Sequence, residues 1–162
     1  MFWEVLGEYL WVFIISMVPI VELRGAIPVA EAMGLNPFIY FPVAVVANML
    51  PVPIIFLFAR RVLEWGADKK IIGRPFTWIL EKGDKAGKKL MKNGPAGLFV
   101  GLMLFVGIPL PGTGAWTGTL GASLLNMKFK DASLSVMLGV LMAGVIMSAA
   151  SILAHYGINL LL

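Results

Sequence analysis

The chain has 162 residues, of which 59% are hydrophobic and 14% charged, with a formal net charge of +4 and no cysteine. A soluble domain carries about 25% charged residues, so the composition selects an integral membrane protein and leaves no room for a separate soluble domain. No disulfide framework, thiolate nucleophile or thiolate metal site is available, the single histidine (His155) cannot build a metal cluster, and an excess of four positive charges does not indicate nucleic acid.

Residues 2–18 read as an apolar helix, with Glu4 and Glu8 near its positive N-terminal end and Trp3, Tyr9 and Trp11 as interfacial anchors. Acidic residues at the start, where a secretory signal carries Lys or Arg, argue against a cleaved leader, although Ala30-Glu31-Ala32 imitates a cleavage site. Pro19 ends this helix by removing a backbone hydrogen bond and crowding the preceding turn. Residues 25–35 form a short second helix, closed by Gly34 and Asn36-Pro37. Between the two lies Glu22-Leu23-Arg24-Gly25-Ala26-Ile27-Pro28, an acid and a base inside sequence that otherwise reads as buried in lipid. Charges at that depth are costly and mark function by default.

Residues 38–59 are uncharged and long enough to span a bilayer. Pro42, Pro51 and Pro53 predict a kink near Asn48–Pro53, where Asn48 either satisfies a freed backbone group or lines a path. Residues 60–94 are polar. Phe76, Ile79, Leu80, Leu90 and Met91 recur there at helical spacing among lysines, as in an amphipathic helix on an anionic leaflet.

Residues 95–127 contain no charge at all. The run is too long for one span and too short for two with a turn, and Pro109-Leu110-Pro111-Gly112-Thr113-Gly114 lies near its middle. About 12 residues of helix, roughly 18 Å, lead to that break. A re-entrant hairpin follows, entering to midplane and leaving on the same side. Residues 132–155 form the last span. Its small residues Ser135, Gly139, Ala143, Gly144 and Ser148 admit close helix packing, inside the protomer or across a dimer.

A shift of 90 positions superimposes the halves, Pro19 on Pro109, Arg24 on Gly114, Ala32 on Ala122 and Asn36 on Asn126. Of 13 Lys and Arg, ten lie between Arg60 and Lys92 and two are Lys128 and Lys130. Basic loops stay cytoplasmic, so the first hairpin enters from outside and the second from inside. The fold expected is an all-α integral membrane protein with an inverted-topology repeat. Each half is a re-entrant helical hairpin plus a transmembrane helix (1–60 and 95–162), and a cytoplasmic amphipathic helix (61–94) joins them within one membrane domain, 1–162. The protein is expected in the plasma membrane, multi-pass, with both termini outside.

Opposed tips meeting at midplane would gather Glu22, Arg24 and the Pro-Gly tip into one site. Free N–H groups at short helices starting near Gly25 and Ala115 bind anions, and Arg24 adds a bidentate clamp. Pro28, Pro109, Pro111, Gly112 and Gly114 shape the tips. Thr113, Thr117 and Thr119 offer hydroxyls and Trp116 a flat wall or a cation–π surface. Glu22 is either the ionised partner of Arg24 or a carboxyl that gains and loses a proton in a transport cycle. Glu31 reads as a rim residue or a second coupling site.

Pro19-x-x-Glu22-x-Arg24-Gly25-Ala26-Ile27-Pro28 together with Pro109-x-Pro111-Gly112-Thr113-Gly114-Ala115-Trp116 resembles the small multidrug export protein family, itself distantly similar to the DedA membrane proteins. That resemblance covers essentially the whole chain. The export label implies efflux. The DedA similarity implies proton-linked movement of lipid phosphates, notably undecaprenyl phosphate, with Glu22 and Arg24 at the acidic and basic tip positions. Gly112, Thr113 and Gly114 stand where DedA members bring further arginines.

The expected function is a proton-coupled transporter of a small amphiphile or phosphate-bearing lipid, acting between the tips. Efflux of cationic multidrug compounds and a non-transporting membrane scaffold are the alternatives. An enzyme is not expected, because no nucleophile–base pair is present, and no cofactor or metal is called for. Expected partners are anionic inner-leaflet lipids at the Lys and Arg of 60–92, a lipid or small-molecule substrate, protons and a second copy of the chain.

Overall fold

The computed structural model describes residues 2–69, 73–74, 77–78, 81 and 94–161. Among them the chain forms α1 (Phe2–Met17), α2 (Glu22–Ala32), α3 (Pro37–Met49), α4 (Pro51–Ala67), α5 (Gly94–Gly107), α6 (Ala115–Leu124) and α7 (Phe129–Leu161), with no strand. Two helical stretches are long and apolar enough to cross a membrane, Pro37–Ala67 and Phe129–Ala154. Large apolar side chains cover much of the outside, Ile20 at 88% and Phe38 at 90% exposure among them, as a lipid-facing surface requires.

Each break has a local cause. α1 stops before Pro19, and Ile20 beyond it stands at φ 75, a left-handed value rare for a β-branched residue. Gly34 at φ 69 closes α2, as Gly34 N donates to the Glu31 carbonyl at 3.0 Å and Leu35 N to the Ala30 carbonyl at 3.1 Å. This is the glycine-ended helix terminus that returns two orphan carbonyls to partners. Asn36 then caps α3 by accepting from Phe38 N at 3.0 Å, with Pro37 in the first turn, where its missing N–H costs nothing. Within the stretch expected to kink, the helix is interrupted only at Leu50, which itself keeps helical dihedrals of φ −59 and ψ −41. The helix nevertheless continues to Ala67, so Arg60 and Arg61 ride on the end of α4 rather than opening the polar loop. The amphipathic pattern of Phe76, Ile79, Leu80, Leu90 and Met91 lies outside the described residues.

Backbone features recur at a constant spacing, but at 92 positions rather than the 90 suggested by sequence identity. Ile20 (φ 75) matches Gly112 (φ 79), Glu22 (φ 54) matches Gly114 (φ 149), and Gly34 (φ 69) matches Asn126 (φ 56). The closing bonds of α6, Asn126 N to the Ser123 carbonyl at 3.3 Å and Met127 N to the Ala122 carbonyl at 3.1 Å, repeat those of α2. Pro19 therefore pairs with Pro111, not Pro109. Asn36 and Asn126 are not equivalents, since one is an N-cap and the other a left-handed helix end.

Packing follows the same correspondence in part. α1 packs on α2 and α3, and α5 packs on α7 with only slight contact to α6, while α2 lies against α7 and α6 against α4. The small residues of α7 are used inside the chain. The Ser135 hydroxyl donates to the Phe99 carbonyl at 2.6 Å, and a Cβ on Gly139 would stand 2.7 Å from both the Met103 carbonyl oxygen and Val106 Cβ. In lipid, where apolar burial gives little drive, such close contact is what holds helices together. Tyr9 is less an anchor than a tie, since its hydroxyl accepts from Asn36 N at 3.3 Å. Trp3 and Trp11 stay exposed, at 79% and 61%.

Candidate functional site

The second tip owes its shape to its own residues. Thr113 N donates to the Leu110 carbonyl at 3.2 Å across Pro111 and Gly112, with Gly112 at φ 79, the turn that a Pro-Gly pair favours. The Thr113 hydroxyl lies within 2.8 Å of the Leu110 carbonyl oxygen and 3.0 Å of that of Ile108, so its proton holds the tip closed from inside.

This arrangement leaves two helix ends without caps. α5 finishes at Gly107 with its last carbonyls pointing forward. α6 starts behind Gly114, whose backbone makes no side-chain cap possible. Helix ends expose four unpaired groups each and carry a partial charge, negative at the C-terminus and positive at the N-terminus. The first tip answers both. Glu22, 2% exposed, accepts from Ala115 N at 3.0 Å through Oε2 and from Trp116 N at 2.9 Å through Oε1. Arg24 donates from Nη1 to the Leu110 carbonyl at 2.6 Å and to the Thr113 hydroxyl at 2.7 Å. Its Nη2 donates to the Val106 carbonyl at 2.9 Å and the Ile108 carbonyl at 3.3 Å. The acid caps one helix and the base the other.

Residues two apart on a regular helix face opposite ways, so cooperation between Glu22 and Arg24 needs a departure from the helix. Glu22 supplies it with φ 54. Two glycines make the close approach possible. A Cβ on Gly114 would lie 2.7 Å from the Glu22 Cδ, and Gly114 has φ 149, which other residues rarely adopt. A Cβ on Gly25 would run into the Val21 side chain.

The expected anion site is thus already filled from within the chain. The α6 amides hold the Glu22 carboxylate, and the Arg24 terminal nitrogens hold carbonyls and a hydroxyl. Arg24 Nε and the Trp116 indole Nε1 are buried without a partner.

Beside the braced tips lies a cavity of about 530 Å³. Ile20 and Glu22 close one end, Phe58 and Val62 of α4 form one wall, and Trp116 and Thr117 of α6 form the other. Gly112 and Thr113 also reach it, whereas Arg24, Gly25, Pro28, Glu31 and Asn48 do not. Pro109 and Pro111 set the turn without lining the space. Thr119 is fully buried behind it with its hydroxyl unpaired.

Glu31 is half-buried, and its Oε2 accepts from the hydroxyl of fully buried Tyr40 at 2.7 Å. Asn48 is likewise fully buried, and neither amide atom has a partner. The α4 wall escaped the sequence reading. Its signal was the apolar series Ile54, Phe58 and Val62 at helical spacing, which runs past Arg60 and Arg61 into residues taken for loop.

A family model described as "Putative small multi-drug export protein" matches residues 22–146, a range that begins at Glu22 and takes in both tips. No curated protein and no solved structure matches the chain.

Proposed function

The chain belongs to the small multi-drug export protein family, and from that premise we propose that it is a membrane transporter that exports cationic or neutral amphiphiles through the cavity beside the two tips. The observation that carries this reading is the capping of α6 by Glu22 directly against that cavity. A phosphate-bearing lipid would need free donors. The Ala115 and Trp116 amides and the two terminal nitrogens of Arg24 are instead committed to the Glu22 carboxylate and to the second tip. What the cavity offers a ligand is apolar surface, the Thr113 and Thr117 hydroxyls, a carboxylate and the face of Trp116, groups that suit a cation with an apolar body.

We further read the halves as inverted repeats, each a re-entrant hairpin with a spanning helix. The 92-residue recurrences and the matching helix contacts support this. The clustering of Lys and Arg between residues 60 and 92 supports a cytoplasmic middle loop. Broken helices meeting within a membrane domain are a transporter device. In this reading alternate opening parts the tips and breaks the Glu22 and Arg24 bonds. A proton on Glu22 would remove the charge that caps α6, coupling proton entry to cation exit.

Proteoliposomes loaded with ethidium test the proposal. An imposed pH gradient drives efflux in the wild type. Val62→Trp fills the cavity and stops efflux, and Glu22→Gln abolishes the dependence on the gradient. Full gradient-driven efflux in both variants would refute the assignment.

A further inference from the structure

The two hairpins differ in one respect that the repeat does not require. α1 lies closely along α2, but α5 and α6 are held apart by a second cavity of about 280 Å³. Its walls are apolar side chains and glycines, with Leu98 and Phe105 from α5, Ala122 from α6 and Leu125 just past the end of α6. Thr117 alone adds a polar group, and Thr117 also lines the larger cavity. The two spaces therefore share a wall at this residue. The Thr117 hydroxyl is only weakly committed, 3.4 Å from the Gly114 carbonyl oxygen.

Two of the glycines here differ from the packing glycines of the bundle; Gly118 does not, since a Cβ there would stand 2.5 Å from Val106 Cγ2. At Gly107, Gly139 and Gly144 a side chain would strike Met142, Val106 or Phe41, so those glycines exist for packing. At Gly101 and Gly121, in the walls of the second cavity, a Cβ meets nothing within 4 Å. Their absent side chains leave space that no other described residue uses.

We infer that this groove takes the hydrocarbon tail of the amphiphile whose polar end occupies the larger cavity, with Thr117 at the threshold between them. The inference rests on the transport reading above and adds the substrate class, a cation carrying an unbranched apolar chain. A flexible chain fits a narrow groove between two helices, whereas a rigid polycyclic cation would be confined to the larger cavity. The carboxylate and the indole face lie only on the larger side, so the orientation is fixed, head toward Glu22 and Trp116 and tail toward Leu98 and Leu125.

Binding of alkyltrimethylammonium ions from octyl to hexadecyl, measured on the purified full chain in nanodiscs, tests this against tetraphenylphosphonium, which has no tail. In the wild type, affinity should climb with chain length, approaching roughly fourfold for each fully buried methylene. Gly101→Leu and Gly121→Leu fill the groove from positions with room for them. They should flatten that dependence and leave tetraphenylphosphonium binding within twofold of wild type. Should a leucine variant lose tetraphenylphosphonium as well, the Gly101→Ala/Gly121→Ala double variant is read in its place, with a partial flattening expected. An unchanged chain-length dependence alongside normal tetraphenylphosphonium binding overturns the tail groove but spares the transport reading. So does a lipid that copurifies with the wild type and is lost from the variants while the dependence persists, since the groove then belongs to a resident lipid. Failure of every cation to bind the wild type overturns both.

Discussion

Glu22 and Arg24, two residues apart, hold opposite ends of the same broken hairpin. The carboxylate takes the first amides of α6, and the guanidinium takes the Val106 carbonyl at the end of α5 and the Leu110 carbonyl just beyond it. The pair brought an opposite charge to each helix end, and neither helix has a capping side chain of its own. The cost of two charges at depth is offset by three carbonyls, a hydroxyl and two amides that lipid could not have satisfied.

Removing the acid should therefore unfasten α6. Glu22→Gln keeps the shape but turns an N–H donor toward one of two amide donors, leaving that amide unpaired. A loss of about 1–3 kcal/mol is expected, read as a lowered midpoint in thermal unfolding in detergent. An unchanged midpoint would show that the carboxylate does not hold the tip.

Arg24→Lys retains the charge but not the fork. A single nitrogen cannot reach Val106 on one side and Thr113 on the other as two nitrogens do. We expect Arg24→Lys to recover less than half of the stability lost in Arg24→Ala. Full recovery would mean that charge alone suffices.

Gly114→Ala should be the most damaging of single-methyl additions, because it combines φ 149 with contact against Glu22. Gly121→Ala, in an open helical position, should be neutral or stabilising by up to about 1 kcal/mol. Melting the two variants side by side checks the contrast. Equal effects would show that Gly114 has no special role.

Much of this was legible in the sequence where the cause is local. Pro19 and the Pro111-Gly112 turn act through their own backbones, so a break falls at each, although α2 begins at Glu22 rather than near Gly25 and takes Arg24 and Pro28 into the helix instead of leaving them in the tip. The register did not, because Pro109 and Pro111 compete for the same alignment and two asparagines with different jobs looked equivalent. The partners of Glu22 lie more than ninety positions away and are backbone amides, which carry no sequence signature. The one hint was a helix that starts behind Gly114 with no capping side chain. That made the α6 N-terminus look like a vacant anion site, when the anion was already in the chain. The α4 wall was missed because Arg60 and Arg61 read as the start of a loop.

Asn48 puts two unpaired amide atoms in a fully buried place at the α3–α4 break. Buried polar atoms without partners are a net cost, so Asn48→Leu should leave the unfolding midpoint unchanged or raise it. A clear loss of stability would mean that the amide has a partner in the working state.

The terminal nitrogens of Arg24 and the first amides of α6 are spent on the tips themselves, which leaves the cavity to cations. Equilibrium binding of dodecyltrimethylammonium and dodecyl phosphate to the purified chain, in nanodiscs of uncharged lipid, tests it with equal tails and opposite heads. The account predicts that the cation binds at least tenfold more tightly and that Val62→Trp removes it. Tighter binding of the phosphate, lost in Arg24→Ala, would contradict it.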